Sequence, residues 1–246
     1  MELKLEKRKV TKMKITKSLK GLLFLGVIFA LLLAVISGCD LGDGITIPSG
    51  ASEMTISVKA DDNVNDNPVS LVITEAKALI KEVELEMENG VDRDLKLEPF
   101  VINFTLNGSL KEALTNFTVR DKYTKIKFQI HKPEDNETPP DPEFKEGPSG
   151  NQRFSFIIKG IYNGNNFVYK SKKSANVVIS FNKVENFNIS KSNITVLFNK
   201  LKWFRNGSTE INPNDPQFEN LIDDNIKNSF LRAFRDDDKN GMPDDN

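Results

Sequence analysis

The sequence has only one cysteine, one histidine and one tryptophan among its 246 residues. One cysteine cannot form a disulfide within the chain, so stability must come from an apolar core and from any bound ion. One histidine, His131, excludes a zinc site built from several histidines, and a Ser-His-Asp catalytic set could form only around it. His131 lies where a predicted strand meets a proline-rich segment, and we expect a partly exposed residue without a catalytic role.

Neither sign of charge predominates in the chain as a whole, whose formal net charge is −1. The charges are unevenly distributed, because residues 1–38 contain eight Lys or Arg and two Asp or Glu. Residues 39–246 contain 26 basic and 33 acidic side chains. An acidic chain of this kind does not have the basic surface that nucleic acids require, so no nucleic-acid partner is expected.

One long apolar run is present, at residues 21–36, and a basic segment precedes it. This order of basic, apolar and small residues is typical of a secretory signal, which residues 1–38 would form. The run ends in Ile36-Ser37-Gly38-Cys39, which resembles the lipobox of bacterial lipoproteins. The resemblance implies cleavage between Gly38 and Cys39 and a covalent diacylglycerol and acyl lipid on Cys39. A single membrane-spanning anchor is the alternative, since about 18 apolar residues just cross a bilayer.

The lipid would place the protein outside the cytoplasm, anchored to the cell membrane or the outer membrane. Two or more acyl chains hold a protein on a membrane where one chain does not. Residues 39–52 are rich in Gly and Ser and predict a flexible tether that spans roughly 20 Å. Asp40 resembles the inner-membrane retention signal of enteric bacteria, but that rule is not general, and we favour the outer membrane slightly.

Apolar and polar residues alternate through residues 53–205, the period of strands with one buried face. Asn163-Gly164 between two such runs predicts a hairpin. Residues 74–88 also fit a helix. Seven or more short strands predict a mainly β fold, specifically an antiparallel β-sandwich of immunoglobulin or prealbumin type, with a C-terminal α-helix. The clearest runs are Met54-Ile56-Val58, Val83-Leu85-Met87, Phe100-Ile102-Phe104-Leu106, Ile126-Phe128-Ile130, Phe154-Phe156-Ile158, Val177-Ile179-Phe181 and Ile194-Val196-Phe198.

Residues 132–152 interrupt the strands with many prolines and acids. A segment of this length is either a solvated excursion, a ligand-recognition loop or a division between two subdomains. Further on, Asp215 and Pro216 predict the N-cap and first position of an amphipathic helix at residues 214–235. Trp203 and Phe204 are expected to pack in the core or at the edge of the sandwich, where they can cover the apolar face of this helix; a sugar-stacking platform is the less favoured alternative.

The tail at residues 236–246 has oxygen side chains at the first, third and fifth positions, a glycine at the sixth and an aspartate at the ninth. This spacing matches the front of a calcium loop. Acidic residues after a helix C-terminus would also need a cation to relieve repulsion from the helix dipole. An acidic, solubilising tail is the alternative. The predicted Ca²⁺ ligands are Asp236, Asp238, Asn240, Asp244 and the carbonyl of Met242.

The tail resembles the loops of thrombospondin type 3 repeats and dockerins and the first half of an EF-hand, although it lacks the bidentate Glu at position twelve. The chain from Cys39 onwards resembles lipoproteins of Bacteroidetes-like Gram-negative bacteria. Its first half, with MTISVKADD, the run at residues 80–85 and the run at residues 100–104, resembles a lipoprotein domain. That resemblance implies a carbohydrate-binding-like, prealbumin-type β-sandwich, and it brings no activity or site residues.

These observations predict a lipid-anchored cell-envelope lipoprotein that acts as a binding or structural module. Calcium would stabilise it, and its partners would be the membrane and either a carbohydrate or an envelope protein, recognised chiefly by residues 132–152. One alternative is an extracytoplasmic hydrolase with paired carboxylates, whose separation the sequence does not reveal. Another alternative is a structural subunit of an envelope complex, which would need a large exposed apolar patch.

Overall fold

The computed structural model describes residues 49–61 and 70–244. The predicted signal, Cys39 and most of the predicted tether lie outside these residues. The chain divides between Thr46 and Ile47 into two units, and the second unit contains all the described residues. Among the described residues, no helix is both long enough and apolar enough to cross a membrane.

The described residues are mainly β, as the alternating pattern predicted, with one short α-helix near the C-terminus. Short 3-10 helices occupy several of the connections. The elements are β1 (Ala51–Ala60), β2 (Leu71–Met87), β3 (Asp92–Lys96), β4 (Phe100–Asn103), β5 (Lys111–Val119), β6 (Lys122–Ile130), β7 (Phe156–Tyr162), β8 (Asn165–Ser171), β9 (Ala175–Asn186), β10 (Lys191–Phe198), β11 (Arg205–Asn206), β12 (Thr209–Glu210), α1 (Glu219–Lys227) and β13 (Phe230–Arg235).

Eleven of these strands form one mixed, curled sheet with the order β5-β1-β10-β13-β9-β6-β2-β7-β8, and β3 and β4 also pair with β2. The pairs β1–β10 and β13–β9 are parallel, so the expectation of a wholly antiparallel arrangement is wrong. Alternation along a strand fixes which side chains face the core, but it does not fix which strand is the neighbour or in which direction it runs. The curl brings β3 against β5, where Asn116 donates a hydrogen bond to the Leu95 carbonyl at 2.6 Å.

The ambiguous segment at residues 74–88 is a strand, because it belongs to the long strand β2. β2 pairs with β7 through its first half and with β6 through its second half. The predicted hairpin is confirmed between β7 and β8. Asn163 and Gly164 have φ angles of 49° and 78°, and two consecutive positive φ angles are what a tight type I′ turn needs.

The core lies inside the curl of the sheet and contains many aromatic rings. Trp203 and Phe204 are fully buried there, so the prediction of core packing is confirmed. The Trp203 ring stacks on Phe198 with ring centres 5.8 Å apart, and its indole nitrogen donates to the Ser229 hydroxyl at 2.9 Å. The indole N–H of the only tryptophan thus has a hydrogen-bond partner inside the core.

Residues 132–152 form an ordered cover over a second, smaller apolar cluster. Phe144 is fully buried there against Leu79, Phe154 and Ile157. Lys77, itself buried, donates to Asp141 Oδ2 at 2.6 Å and also pairs with Glu143 in this segment. The interpretation as a solvated excursion is therefore wrong for its central part, because apolar burial and ion pairs hold the segment on the sheet.

His131 is buried rather than partly exposed, which corrects the sequence-based expectation. Its Nε2 lies 2.6 Å from Oε2 of Glu137, which belongs to the segment at residues 132–152. Burial alone would raise the pKa of Glu137, but the contact with His131 reverses this effect and holds that pKa below its usual range. The histidine thus fixes the start of the covering segment.

The C-terminal helix is shorter than the predicted span of residues 214–235. Asp215 does cap a helical turn, because it accepts a hydrogen bond from the Gln217 amide, and Pro216 is the first residue of that turn. The α-helix ends at Lys227, and Phe230–Arg235 is strand β13, inserted between β10 and β9. The spacing of the apolar residues in this stretch fits both the helical repeat and the alternation of a strand. Pairing with β10 and β9 on either side makes it a strand.

Candidate functional site

The acidic C-terminal loop follows a strand directly, since β13 ends at Arg235. These aspartates therefore do not follow a helix C-terminus, and the prediction that they do is wrong. The loop is nevertheless an ordered part of the described structure. The Asp236 amide donates to the Asn193 carbonyl at 2.9 Å, and the Asp244 amide donates to the Arg235 carbonyl at 2.9 Å.

Asp236, the first residue of the loop, is fully buried. Its Oδ2 accepts hydrogen bonds from the Thr195 hydroxyl at 2.6 Å and from the Gly241 amide at 3.0 Å. Its Oδ1 accepts one from the Asn240 amide at 3.0 Å. Burial raises the pKa of the Asp236 carboxyl, although these hydrogen bonds oppose the rise. Each carboxylate oxygen has two acceptor positions, so Oδ1 retains capacity for one more partner.

Three of the predicted ligands come together. Carboxylate oxygens of Asp236, Asp238 and Asp244 lie within 4.8 Å of one another. The turn between them depends on Gly241, whose φ is 80°, and on Lys239, whose φ is 55°. Gly241 thus makes the bend that the spacing predicted, because a positive φ costs a glycine little.

Asn240, the fourth predicted side-chain ligand, is engaged within the loop, since its Nδ2 donates to Asp238 Oδ2 at 2.7 Å and its Oδ1 accepts from the Met242 amide at 2.7 Å. Met242 is exposed, and its carbonyl stays a predicted ligand. As arranged, Asn240 contributes to the shape of the loop beside the three convergent carboxylates.

These three carboxylates fit a calcium ion by distance. Calcium binds oxygens at about 2.3–2.6 Å, so two oxygens on one ion are separated by no more than about 5 Å. Calcium takes six to eight oxygens, and water or backbone carbonyls would have to complete the set. The residues therefore fit a hard cation with an open, partly hydrated site.

Basic side chains also surround the loop. Arg235 forms an ion pair with Asp237, the Lys183 ammonium donates to the Asp244 carbonyl at 3.3 Å, and Lys239 pairs with Glu112 on β5. These groups compensate part of the negative charge. The negative charge of the loop therefore does not by itself require a bound cation. The observation that favours a metal ion is the convergence of the three carboxylates.

Sequence reasoning missed Asn193 and Thr195 on β10. The Asn193 amide group donates to the Asp236 carbonyl at 2.9 Å, and the Thr195 hydroxyl holds the Asp236 side chain. Both residues are buried in a strand whose two faces are covered. Polar residues at alternate positions of an apolar strand usually indicate a solvated face, so the pattern alone suggested surface positions.

Cys39 and Gly38, the predicted lipidation and cleavage residues, lie outside the described residues. No family model matches the chain, and no curated protein matches it. One solved structure that is similar is MbnP from Methylosinus trichosporium, with 10% sequence identity, a TM-score of 0.40, and coverage of 63% of this chain and 76% of that chain. A similarity at this level carries no argument about fold or function.

Proposed function

We propose that the protein is a lipid-anchored binding module of the cell envelope, attached through Cys39 and ordered at its C-terminus by calcium. The observation that carries this proposal is the position of Cys39, the single cysteine, directly after an apolar run and two small residues. The unit boundary between Thr46 and Ile47 falls inside the predicted tether, which supports a folded module that begins beyond the anchor.

The anchor is tested with the variant Cys39→Ser, expressed as the full chain in a bacterium that processes lipoproteins. We expect uncleaved precursor without incorporated fatty acid. The matched control is Cys39→Ser with Ser49→Cys, which restores a cysteine at an exposed position outside the lipobox. The control should remain unprocessed, whereas normal cleavage and acylation of either variant would contradict the proposed anchor.

We further propose that the curled sheet forms a β-sandwich of prealbumin type, with the main aromatic core between its two halves. Calcium would then join the end of the chain to this core through Asp236. The convergence of Asp236, Asp238 and Asp244 supports the ion. At calcium concentrations above the dissociation constant, the free energy of unfolding would increase with the logarithm of the calcium concentration.

The two alternatives have less support in the described residues. A paired-carboxylate hydrolase needs two acids that face each other across a cleft. Asp223 and Asp224 line one cavity, and Glu82 and Glu84 line another, but each pair lies on a single element, so its two acids do not face each other across a cleft. A structural subunit needs a large exposed apolar surface. Val72 and Ile161, which are paired across β2 and β7, are exposed, as is Val168 on β8.

A further inference from the structure

A polar cavity lies beside α1, where the end of β8 and the start of β9 meet the helix. Its volume is about 260 Å³, a little under the range of about 300–1,000 Å³ that is typical of small-molecule sites. One water molecule occupies about 30 Å³ in the liquid, so the cavity is far larger than a single buried water needs. The polar residues that line it include Ser155, Ser171, Lys173, Asn176, Asp223 and Lys227.

Asp223 is the unusual residue of this cavity, because its side chain is 5% exposed and only half satisfied. Its Oδ1 accepts a hydrogen bond from the Tyr169 hydroxyl at 2.7 Å. Its Oδ2 is buried and has no hydrogen-bond partner. The Lys173 ammonium is 3.8 Å from Oδ2 and donates instead to Asn220 Oδ1, at 2.6 Å.

A buried carboxylate oxygen without a hydrogen-bond donor is costly, and proteins seldom retain one without a reason. Burial raises the pKa of the Asp223 carboxyl, although Tyr169, Ser171 and Lys173 oppose the rise. A partner that is present only when a ligand binds would remove this cost. Asp223 Oδ2 therefore marks the part of the cavity that a ligand must satisfy.

The charges around the cavity balance, and this balance selects the class of ligand. The acids are Asp223 and Asp224, and the bases are Lys173 and Lys227. A cation would meet the two ammonium groups, and an anion would meet the two carboxyl groups. A neutral hydroxyl group both donates and accepts, so it can pair with Asp223 in either protonation state.

Other surfaces of the cavity suit the same ligand class. The Ser155 and Ser171 hydroxyls lie 3.3 Å apart among the lining residues, where Ser155 donates to the Lys173 carbonyl and Ser171 accepts from the Lys173 amide at 3.3 Å. Ile130, Phe156 and Ile226 form an apolar wall. A sugar or cyclic polyol presents hydroxyl groups on its edge and C–H groups on its faces, and small-molecule sites combine these two kinds of surface.

We propose that this cavity binds a small, neutral, polyhydroxylated molecule of monosaccharide size, with Asp223 Oδ2 as the central hydrogen-bond acceptor. This inference deepens the proposed binding function and depends on it, and it moves recognition away from residues 132–152. The side chain of Lys173 is about half exposed, and it moves aside when the ligand reaches Oδ2. Asn176, exposed at the rim, borders the entrance.

The test uses the purified full chain and the probes D-glucose, D-galactose, N-acetyl-D-glucosamine and myo-inositol at millimolar concentrations. Binding is measured by saturation-transfer difference NMR and by titration calorimetry, with ethanolamine and acetate as charged comparison probes. We expect at least one polyol to bind more tightly than either charged probe. Asp223→Asn, which places a donor where the acceptor was, should weaken that binding about tenfold, or about 1.4 kcal/mol.

The matched control is Asp94→Asn, which removes an exposed acid on β3 that does not line the cavity and should leave polyol affinity within about twofold, well under the tenfold step. Asn176→Trp provides a second variant at an exposed position and should block the entrance without disturbing the core. Absence of binding by all four polyols would overturn the inference, because the cavity would then hold only water. Preference for ethanolamine, or polyol binding that survives both Asp223→Asn and Asn176→Trp, would overturn it as well. Acylation of Cys39 is measured separately, so failure of this site is distinguishable from failure of the proposed anchor.

Discussion

The Thr195 hydroxyl donates a hydrogen bond of 2.6 Å to Asp236 Oδ2, and both residues are fully buried. This contact joins the middle of β10 to the first residue of the acidic loop. The tail is consequently fixed to the core of the sheet through residue 244, which argues against a freely moving acidic tail. The contact also holds the first carboxylate in place for a cation.

Thr195→Val should destabilise the protein, because valine keeps the β-branched shape but leaves Asp236 with one donor fewer. A buried acceptor that loses its partner costs about 1–3 kcal/mol. For a domain of this size each kcal/mol lowers the melting temperature by about 2–4 °C, which thermal unfolding monitored by circular dichroism measures directly. Thr209→Val, at an exposed position on β12, is the control and should change stability by no more than about 0.5 kcal/mol. Equal losses of stability in the two variants would contradict a stabilising role for the Thr195–Asp236 hydrogen bond.

Calcium should raise the melting temperature of the intact chain. For a dissociation constant of about 10⁻⁴–10⁻³ M, as in extracellular calcium modules, ten millimolar calcium would add about 1.4–2.7 kcal/mol. Asp238→Asn should abolish this increment with little change in the calcium-free stability, since Asp238 is exposed. Asp224→Asn serves as the charge-matched control and should retain the increment. A calcium effect that is absent from the unmodified chain, or that persists in Asp238→Asn, would reject the site.

The calcium effect should also depend on pH through Asp236. Burial raises the pKa of this carboxyl above its ordinary value of 3.8, so the folded state retains a proton that the unfolded state releases. Without calcium, stability therefore falls as the pH rises from 3.8 through the raised pKa. Calcium binds the ionised carboxylate and removes this loss, so the increment in melting temperature should increase with pH. An increment that is constant from acid to neutral pH would show that Asp236 is not a ligand.

Lys77→Met should loosen the segment at residues 132–152. Lys77 pairs with Asp141 and Glu143, and methionine keeps the apolar stem while it removes the ammonium group. Since both partners are partly exposed, the cost should be about 1–2 kcal/mol rather than that of a fully buried pair. Limited proteolysis should cut the segment faster in this variant. Lys111→Met, at an exposed position on β5, is the control, and an unchanged cleavage rate in Lys77→Met would contradict the proposed anchoring.

Glu143 should make the same segment sensitive to acid. Hydrogen bonds from Lys159 and Lys77 lower the pKa of Glu143 from 4.5 to about 2. A lowered pKa stabilises the folded state above pH 4.5 and loses this contribution as the pH falls towards 2. Glu143→Gln should therefore flatten the stability profile in this window, measured by urea unfolding at each pH. Glu134→Gln, an exposed acid in the same segment, should leave the profile unchanged, and a steep profile in Glu143→Gln would refute the assignment.

The elements that sequence reasoning located best are those defined by local physics. The Asn163-Gly164 turn needs two positive φ angles, and Asp215 with Pro216 forms a local cap, so both were predictable from a few adjacent residues. The calcium-loop spacing likewise brought Asp236, Asp238 and Asp244 together as predicted.

The features that were missed depend on contacts between distant parts of the chain. Phe230–Arg235 becomes a strand because a place between β9 and β10 is open to it, which no local pattern reveals. The parallel pairing of β1 with β10 and the polar support of Asp236 by Thr195 are of the same kind. Asp223 gave no signal either, because a single acid on an amphipathic helix usually belongs to its solvated face.

The most direct test of the central proposal is the chemical state of Cys39 in the protein isolated from its native cells. Mass spectrometry of the N-terminal peptide should find Cys39 as the first residue, with a thioether-linked diacylglycerol and no trace of residues 1–38. A chain that retains residues 1–38, with an unmodified Cys39 thiol, would contradict the account.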